Sequence, residues 1–500
     1  MSDTNVGRNI WFTSVSTLIP SGFTYLFWIV TAKVAGPETV GTVSSLVAFS
    51  LIISTISSLD IHIGMKRFLG IATSRKDLGK FKQILFSTIT FLLTATGVTL
   101  ACLAIFSFSV FSIFSTEEQY YWIIVLMVIS INFNNTLTEA LISALRSKAL
   151  ISALVIGSIL RFPILIVAVY AIDSVDEGAA LSYISLYMIS AVYYALYMVK
   201  YLRGSKENGL SNFKSNLKEV LSSAVAGWIP HLINVLGSQL SIVTVFIMTG
   251  PVEAGKFYIP QAIFSLVLFA VGGITKVSHP LIAGMTKSDD QVSFLRNSLK
   301  LAYLITSPIT APLLFFSRDF ILILGPQFIS ADITLTLFMA NIPLAILSEM
   351  VYYFAYGKGD NRIVFTLGLF GNIPRILLYF LLIPIWDANG AAIAFLVGTT
   401  FQFAWTIVVV KRIYHIDLEY DKYIFLTTFP LLLGLLTWLL VVQYLVATCI
   451  VIAGSIITFI RFGLFTDAEL ETILFSIFPE RISKKMYQLG HLLLHKISKN

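Results

Sequence analysis

Fourteen apolar runs, each near the ~20 residues that cross a bilayer as one helix, leave this chain few folds to choose from. They cover about 10–32, 41–63, 84–113, 121–145, 150–172, 179–200, 219–249, 257–283, 299–324, 329–356, 363–385, 389–410, 423–442 and 444–460. Only 12% of the 500 residues are charged and mean hydropathy is +0.85, whereas a soluble protein carries about 25% charged residues. One water-facing globule has no room to hide that much apolar surface. The sequence therefore specifies an all-α integral membrane protein with 14 transmembrane helices. The first run lacks the short apolar segment and small-residue cleavage site of a signal peptide, so it is expected to be a retained helix.

The loop charges set an orientation. With the N-terminus in the cytoplasm, 28 of the 34 lysines and arginines fall on the inner side, three fall outside, and Arg161, Lys276 and Arg375 lie within spans. Such a bias predicts a multi-pass protein of the cell membrane with both termini cytoplasmic. It also accounts for the net charge of +7 without nucleic acid as a partner. The outer loops are short, which leaves no space for an external catalytic domain.

The chain uses one pattern twice. Gly36, Pro37 and Gly41 recur as Gly250, Pro251 and Gly255, each 214 positions on. The same offset carries Gly157 to Gly371 and Arg161 to Arg375, and nearly the same one carries Gly178-Ala179-Ala180 to Gly390-Ala391-Ala392. A period this long is a duplicated domain. Six spans per copy give two six-helix lobes in parallel pseudo-repeat, the architecture of transporters built from like halves. Residues 1–205 are read as the N-lobe, 206–218 as a cytoplasmic linker, 219–411 as the C-lobe, 412–460 as two extra helices and 461–500 as a cytoplasmic amphipathic tail. In the tail, Ile482, Met486, Leu489, Leu493 and Ile497 share one helical face and Arg481, Lys484, Lys485, Lys496 and Lys499 supply positive charge, which suits the surface of an anionic membrane.

An ionisable side chain inside a span costs a few kcal/mol, which makes each one a functional candidate. Arg161 and Arg375 are repeat mates near the middle of their spans. Arginine keeps its charge when buried, and its forked donors suit phosphate. Lys276 joins them as a third candidate for substrate binding. Glu139 and Glu349 occupy related places in the two halves. Asp60 and His62 end the second span, and His62 is the repeat counterpart of Lys276. These four are candidates for gating or ion coupling. Two roles are open for the arginines: contact with an anionic substrate or gate, or a salt bridge to the glutamate of the same half. His231 is expected to be a hydrogen-bonded structural residue. Asn132, Asn134 and Asn135 either line a wet path or bond neighbouring helices. Cys102 and Cys449 have no metal or disulfide spacing and are expected to be buried as small apolar residues. No phosphate-binding loop, zinc motif or serine-nucleophile motif occurs, so no catalytic residue, cofactor or metal is expected, and the chain does not read as an enzyme.

Several stretches resemble the polysaccharide transporter branch of the MOP flippase superfamily. They are Lys33-Val34-Ala35-Gly36-Pro37-Glu38-Thr39-Val40-Gly41, Leu324-Gly325-Pro326-Gln327-Phe328, and Ile383-Pro384 followed by Asn389-Gly390-Ala391-Ala392-Ile393-Ala394. Their order covers about residues 8–460. The resemblance implies a MATE-like fold that moves a lipid-linked oligosaccharide between leaflets for polysaccharide biosynthesis. Its implied partners are the lipid-linked glycan and membrane lipids, with glycan polymerase or glycosyltransferase machinery beside them. The basic cluster that lipid II flippases carry in their first span has no counterpart beyond Lys33. A MATE-type multidrug or organic-cation antiporter is the alternative, with Asp60, Glu139 and Glu349 as its acidic residues. A membrane glycosyltransferase would need a large acidic outer loop, which is missing.

Overall fold

A computed structural model describes residues 3–105, 120–172, 174–205, 207–272, 282, 284–285, 287–465 and 487–488. Among them only helices and turns occur. In chain order the helices are α1 (Asp3–Ser58), α2 (Ile61–Ser74), α3 (Leu78–Ile105), α4 (Tyr121–Ser143), α5 (Ser147–Ala171), α6 (Val175–Leu202), α7 (Phe213–Thr249), α8 (Pro251–Phe269), α9 (Ser288–Phe315), α10 (Ser317–Leu322), α11 (Asp332–Gly357), α12 (Asn361–Val408), α13 (Tyr420–Leu439) and α14 (Tyr444–Arg461).

Twelve of the described helical stretches are long and apolar enough to cross a membrane. Two of these, Gly22–Ser58 and Asn361–Ile413, each contain a break. The first break is at Gly36 (φ 81°, ψ −177°) and the second at Trp386–Asp387, where Asp387 has φ 46°. Each of the two stretches thus supplies two crossings, and fourteen transmembrane helices result. Gly36 is glycine because its φ lies where a Cβ is strained.

Contacts group the chain into two compact units. One comprises Ile19–Tyr258 and Tyr379–Asp387; the other comprises Met1–Leu18, Ile259–Leu378 and Ala388–Asn500. In the first unit a core of Ile61, Met65, Leu69, Phe81, Ile84, Leu137 and Tyr194 joins α2, α3, α4 and α6. Asn132 ties helices together here: its side-chain oxygen accepts from Ser54 at 2.6 Å, and its NH2 donates to Ser57 at 3.0 Å and Thr96 at 2.9 Å. Of the two roles open for it, Asn132 takes helix bonding. In the second unit Phe264, Phe338 and Phe395 form an aromatic trio with centroids 5.2–5.4 Å apart, and Tyr303 stacks on Tyr423 at 5.5 Å.

The two Gly-Pro stretches meet inside the first unit. Gly250 repeats the backbone of Gly36, with φ 94° and ψ 174°. A Cβ on Gly41 would collide with the Pro251 carbonyl and lie 2.7 Å from the Gly255 nitrogen. A Cβ on Gly255 would collide in turn with the Pro37 carbonyl. With little hydrophobic drive between helices in lipid, close backbone approach at small residues does the packing.

Three expectations need correction. The second span was expected to run to residue 63, but α1 stops at Ser58 and the chain turns through two left-handed residues, Leu59 (φ 47°) and Asp60 (φ 52°). Apolar Ile61, Met65 and Leu69 continue the hydropathy signal because α2 buries that face, so the sequence hid the break. The ninth span was expected at 299–324; α9 starts at Ser288 and a separate α10 follows it. Cys102 and Cys449 are exposed, which a bilayer allows because an apolar thiol faces lipid without penalty. Most of the tail, 466–486 and 489–500, lies outside the described residues.

Candidate functional site

Arg161 sits on α5 and is 0% exposed. Its Nη2 donates to the Phe23 carbonyl. Its guanidinium carbon lies 4.6 Å from the Phe27 ring centroid and 5.7 Å from that of Phe162. Aromatic contacts extend outward from Phe27 to Tyr183 at 5.8 Å and Trp28 at 5.4 Å, from Trp28 to Tyr258 at 4.5 Å, and from Tyr183 to Tyr187 at 5.8 Å. Among the described residues neither Nε nor Nη1 of Arg161 has a hydrogen-bond acceptor, and no described carboxylate forms an ion pair with it. Cation–π contact recovers part of the desolvation cost, about 2 kcal/mol or more for a desolvated cation. The charge remains under-satisfied.

The salt bridge that Glu139 could have offered Arg161 goes elsewhere. Glu139 pairs with Lys66 at 2.9 Å, linking α4 to α2. Asp60, 1% exposed at the α1–α2 break, holds Nδ1 of His231 at 2.7 Å through Oδ2. Its Oδ1 has no donor. One turn before His231, Trp228 Nε1 donates to the Thr55 carbonyl at 2.8 Å. His231 thus makes the hydrogen bond expected of it. The histidine that the sequence put forward, His62, stands half-buried on α2, while its neighbour Asp60 reaches a histidine on α7. No signal in the sequence links positions 60 and 231.

Arg375, on α12, is 7% exposed. It donates to Asn372 Oδ1 at 3.1 Å and Thr399 Oγ1 at 2.9 Å, and its guanidinium lies 3.7 Å over the Phe395 ring. Gly398 permits this fold-back, since a Cβ there would stand 2.6 Å from the Gly371 carbonyl and 2.8 Å from Arg375 Cβ. Glu349, on α11, lines a cavity of about 250 Å³ with Ser265, Phe269, Ile346 and Tyr353. Lys276 lies outside the described residues. The first unit therefore holds Arg161, Glu139, Asp60 and His62, and the second holds Arg375 and Glu349.

Residues 6–286 match the family described as polysaccharide biosynthesis protein. The chain belongs to this family. As a member of the polysaccharide biosynthesis family it shares the fold of two kinds of transporter. A lipid II flippase, MurJ, in an inward closed conformation superposes with a TM-score of 0.67 at 14% identity, over 90% of this chain and 99% of that one. A multidrug resistance MATE family transporter of the MOP superfamily, inward-facing, gives 0.63 at 14% identity, over 81% and 99%. An outward-facing MATE transporter gives 0.59 at 14% identity, over 83% and 98%. No curated protein matches. At such identities the likeness carries the fold and no residue roles.

Proposed function

We propose that the chain is a flippase that carries a polyprenyl- or dolichyl-phosphate- or diphosphate-linked oligosaccharide across the cell membrane by alternating access. The observation that carries this reading is the Arg161 guanidinium: fully buried, always charged, and with two nitrogens lacking acceptors. An oligosaccharide phosphate supplies what it lacks, paired oxygens for a planar fork, and the surrounding aromatic faces suit sugar rings. Membership of a polysaccharide biosynthesis family supports the choice of cargo. In this reading residues 1–205 and 219–411 rock as lobes with both termini cytoplasmic, Arg161 is the phosphate contact of the first lobe, and Lys276 and Arg375 are the candidate phosphate contacts of the second. The Asp60–His231 and Lys66–Glu139 pairs open and close as the states exchange, with His62 beside them, and Glu349 serves the second lobe. Polymerases or glycosyltransferases would then act on the delivered glycan.

The test uses purified protein in vesicles loaded with one lipid-linked oligosaccharide. An added glycan-cleaving enzyme reads how much substrate reaches the outer leaflet. Wild type should expose the inner pool, and Arg161→Ala should slow exposure about tenfold or more, as for loss of one charge-assisted contact. Wild-type rates in both Arg161→Ala and Arg375→Ala would remove these residues from the mechanism.

A second reading, a MATE-type organic-cation antiporter, draws on the buried Asp60 carboxylate, whose Oδ1 has no donor. It requires drug efflux that disappears in Asp60→Asn while surface glycans stay normal.

A further inference from the structure

At the basic end of the first unit, an apolar groove of about 370 Å³ runs between α3, α4 and α6. Leu85, Ile89, Phe133, Leu137 and Met198 form part of its wall, and the exposed Val199 and Phe86 show that it opens on the outer face of the bundle, where lipid would lie. Its mouth is different. Lys82, Arg203 and Ser205 line it there. Among the described residues the Lys82 ammonium donates to the Ser205 carbonyl alone, at 3.4 Å. The Ser205 hydroxyl is buried and has no hydrogen-bond partner among the described residues. Neither cation forms an ion pair with a described carboxylate. Glu207, two residues past Ser205, accepts from Gln83 at 3.3 Å and packs over Gly79. Gly209 packs against Phe86 on α3, where a Cβ would stand 2.9 Å from the ring.

The geometry points to a binding site for one anionic phospholipid of the leaflet at this end. Its phosphate sits against Lys82 and Arg203 and accepts the Ser205 hydroxyl. One acyl chain lies along Leu85, Ile89, Leu137 and Met198. An apolar slot open sideways to the bilayer with two cations and an uncommitted hydroxyl at its rim matches that amphiphile in both parts. A zwitterionic lipid brings its own ammonium to the same cations and is disfavoured. The site is separate from Arg161 and carries no cargo; it holds a lipid in place beside the helices that form the unit's core.

Detergent-purified protein titrated with phosphatidylglycerol, with bound lipids counted by native mass spectrometry, tests this. Wild type should retain one tight phosphatidylglycerol and bind phosphatidylcholine about tenfold more weakly. Lys82→Ala/Arg203→Ala should lower phosphatidylglycerol affinity by roughly tenfold or more, in line with two lost phosphate contacts. Met198→Trp, which fills the groove and leaves the cations, should lose both lipids. Ser205→Ala, the mildest change, should weaken phosphatidylglycerol severalfold. Size-exclusion and circular dichroism establish that each variant is folded, and the Ser205 and Met198 variants decide the matter if the double variant is not. Equal retention by wild type and these variants would overturn the site. So would an equal loss in Lys411→Ala/Arg412→Ala, which points to diffuse surface charge. Preferential retention of a polyprenyl phosphate over phosphatidylglycerol would overturn it too, by giving the groove to a carrier lipid.

Discussion

Two pairs of repeat-related positions have met different fates. Gly36 and Gly250 keep the same backbone conformation, and the stretches that follow them pack on one another through Gly41 and Gly255. Arg161 and Arg375 keep only their identity. The register that relates them pairs Asn372 with Ser158, and the register of the Gly-Ala-Ala triplets pairs Phe395 with Tyr183 and Thr399 with Tyr187. Asn372, Phe395 and Thr399 are the partners of Arg375. Each is replaced in the first copy, where the Ser158 hydroxyl is itself buried and unpaired. The Phe23 carbonyl serves Arg161, while its mate, the Gly237 carbonyl, takes the Tyr379 hydroxyl at 2.7 Å. Where the copies touch each other, a change in one collides with the other and both stay fixed. Where each copy faces its own neighbours, one arginine has been tied down and its mate left poised.

The comparison can be broken most forcefully at the glycines. Gly41→Val or Gly255→Val drives a side chain into backbone, which cannot rotate away, so a loss beyond about 3 kcal/mol is expected. Folded, monodisperse yield should collapse. Gly22→Ala, with nothing within 4 Å of its Cβ, should match wild type. A Gly41→Val protein that purifies and melts normally would mean that the stretches do not touch.

At the arginines the two copies should part. Arg375→Met takes a charged donor from Asn372 and Thr399 and should cost about 2–3 kcal/mol. Arg161→Met removes an under-satisfied buried charge and should leave stability within about 1 kcal/mol of wild type, or raise it, while transport falls. Thermal unfolding of both in one detergent measures the difference; equal losses would erase it.

One step finer, Asn372→Ser imposes the first copy's residue on the second and should cost about 1–2 kcal/mol. Ser158→Ala, at the mate, deletes a hydroxyl with no partner and should be neutral or stabilising by up to about 1 kcal/mol. A larger loss at Ser158 would reveal a partner for its hydroxyl and weaken the contrast.

The smallest effect comes from acid. The Lys422 hydrogen bond and charge hold Glu419, just ahead of α13, below the ordinary carboxylate range. A depressed carboxylate stabilises the folded state above its unfolded pKa, and that contribution fades as pH falls through the folded value. Exposure limits it to a few tenths of a kcal/mol. Glu419→Gln should flatten that part of the acid unfolding profile and leave both arginine sites unmoved; a change in transport would tie the sites to this loop.

Hydropathy and loop charge were enough to set the number of crossings, because a backbone in hydrocarbon must satisfy its own hydrogen bonds and all but a few lysines and arginines stay near water. The break between spans eleven and twelve was legible for the same reason, since Asp387 interrupts an apolar run. Chain spacing also exposed the duplication and both arginines. It could not expose the end of the second span, because the buried face of α2 is as apolar as a membrane helix. Nor could it pair Asp60 with His231, Glu139 with Lys66, or Arg375 with Thr399. Those contacts depend on which helices become neighbours and on how each is rotated, and a one-dimensional pattern carries depth in the membrane but not azimuth around the helix.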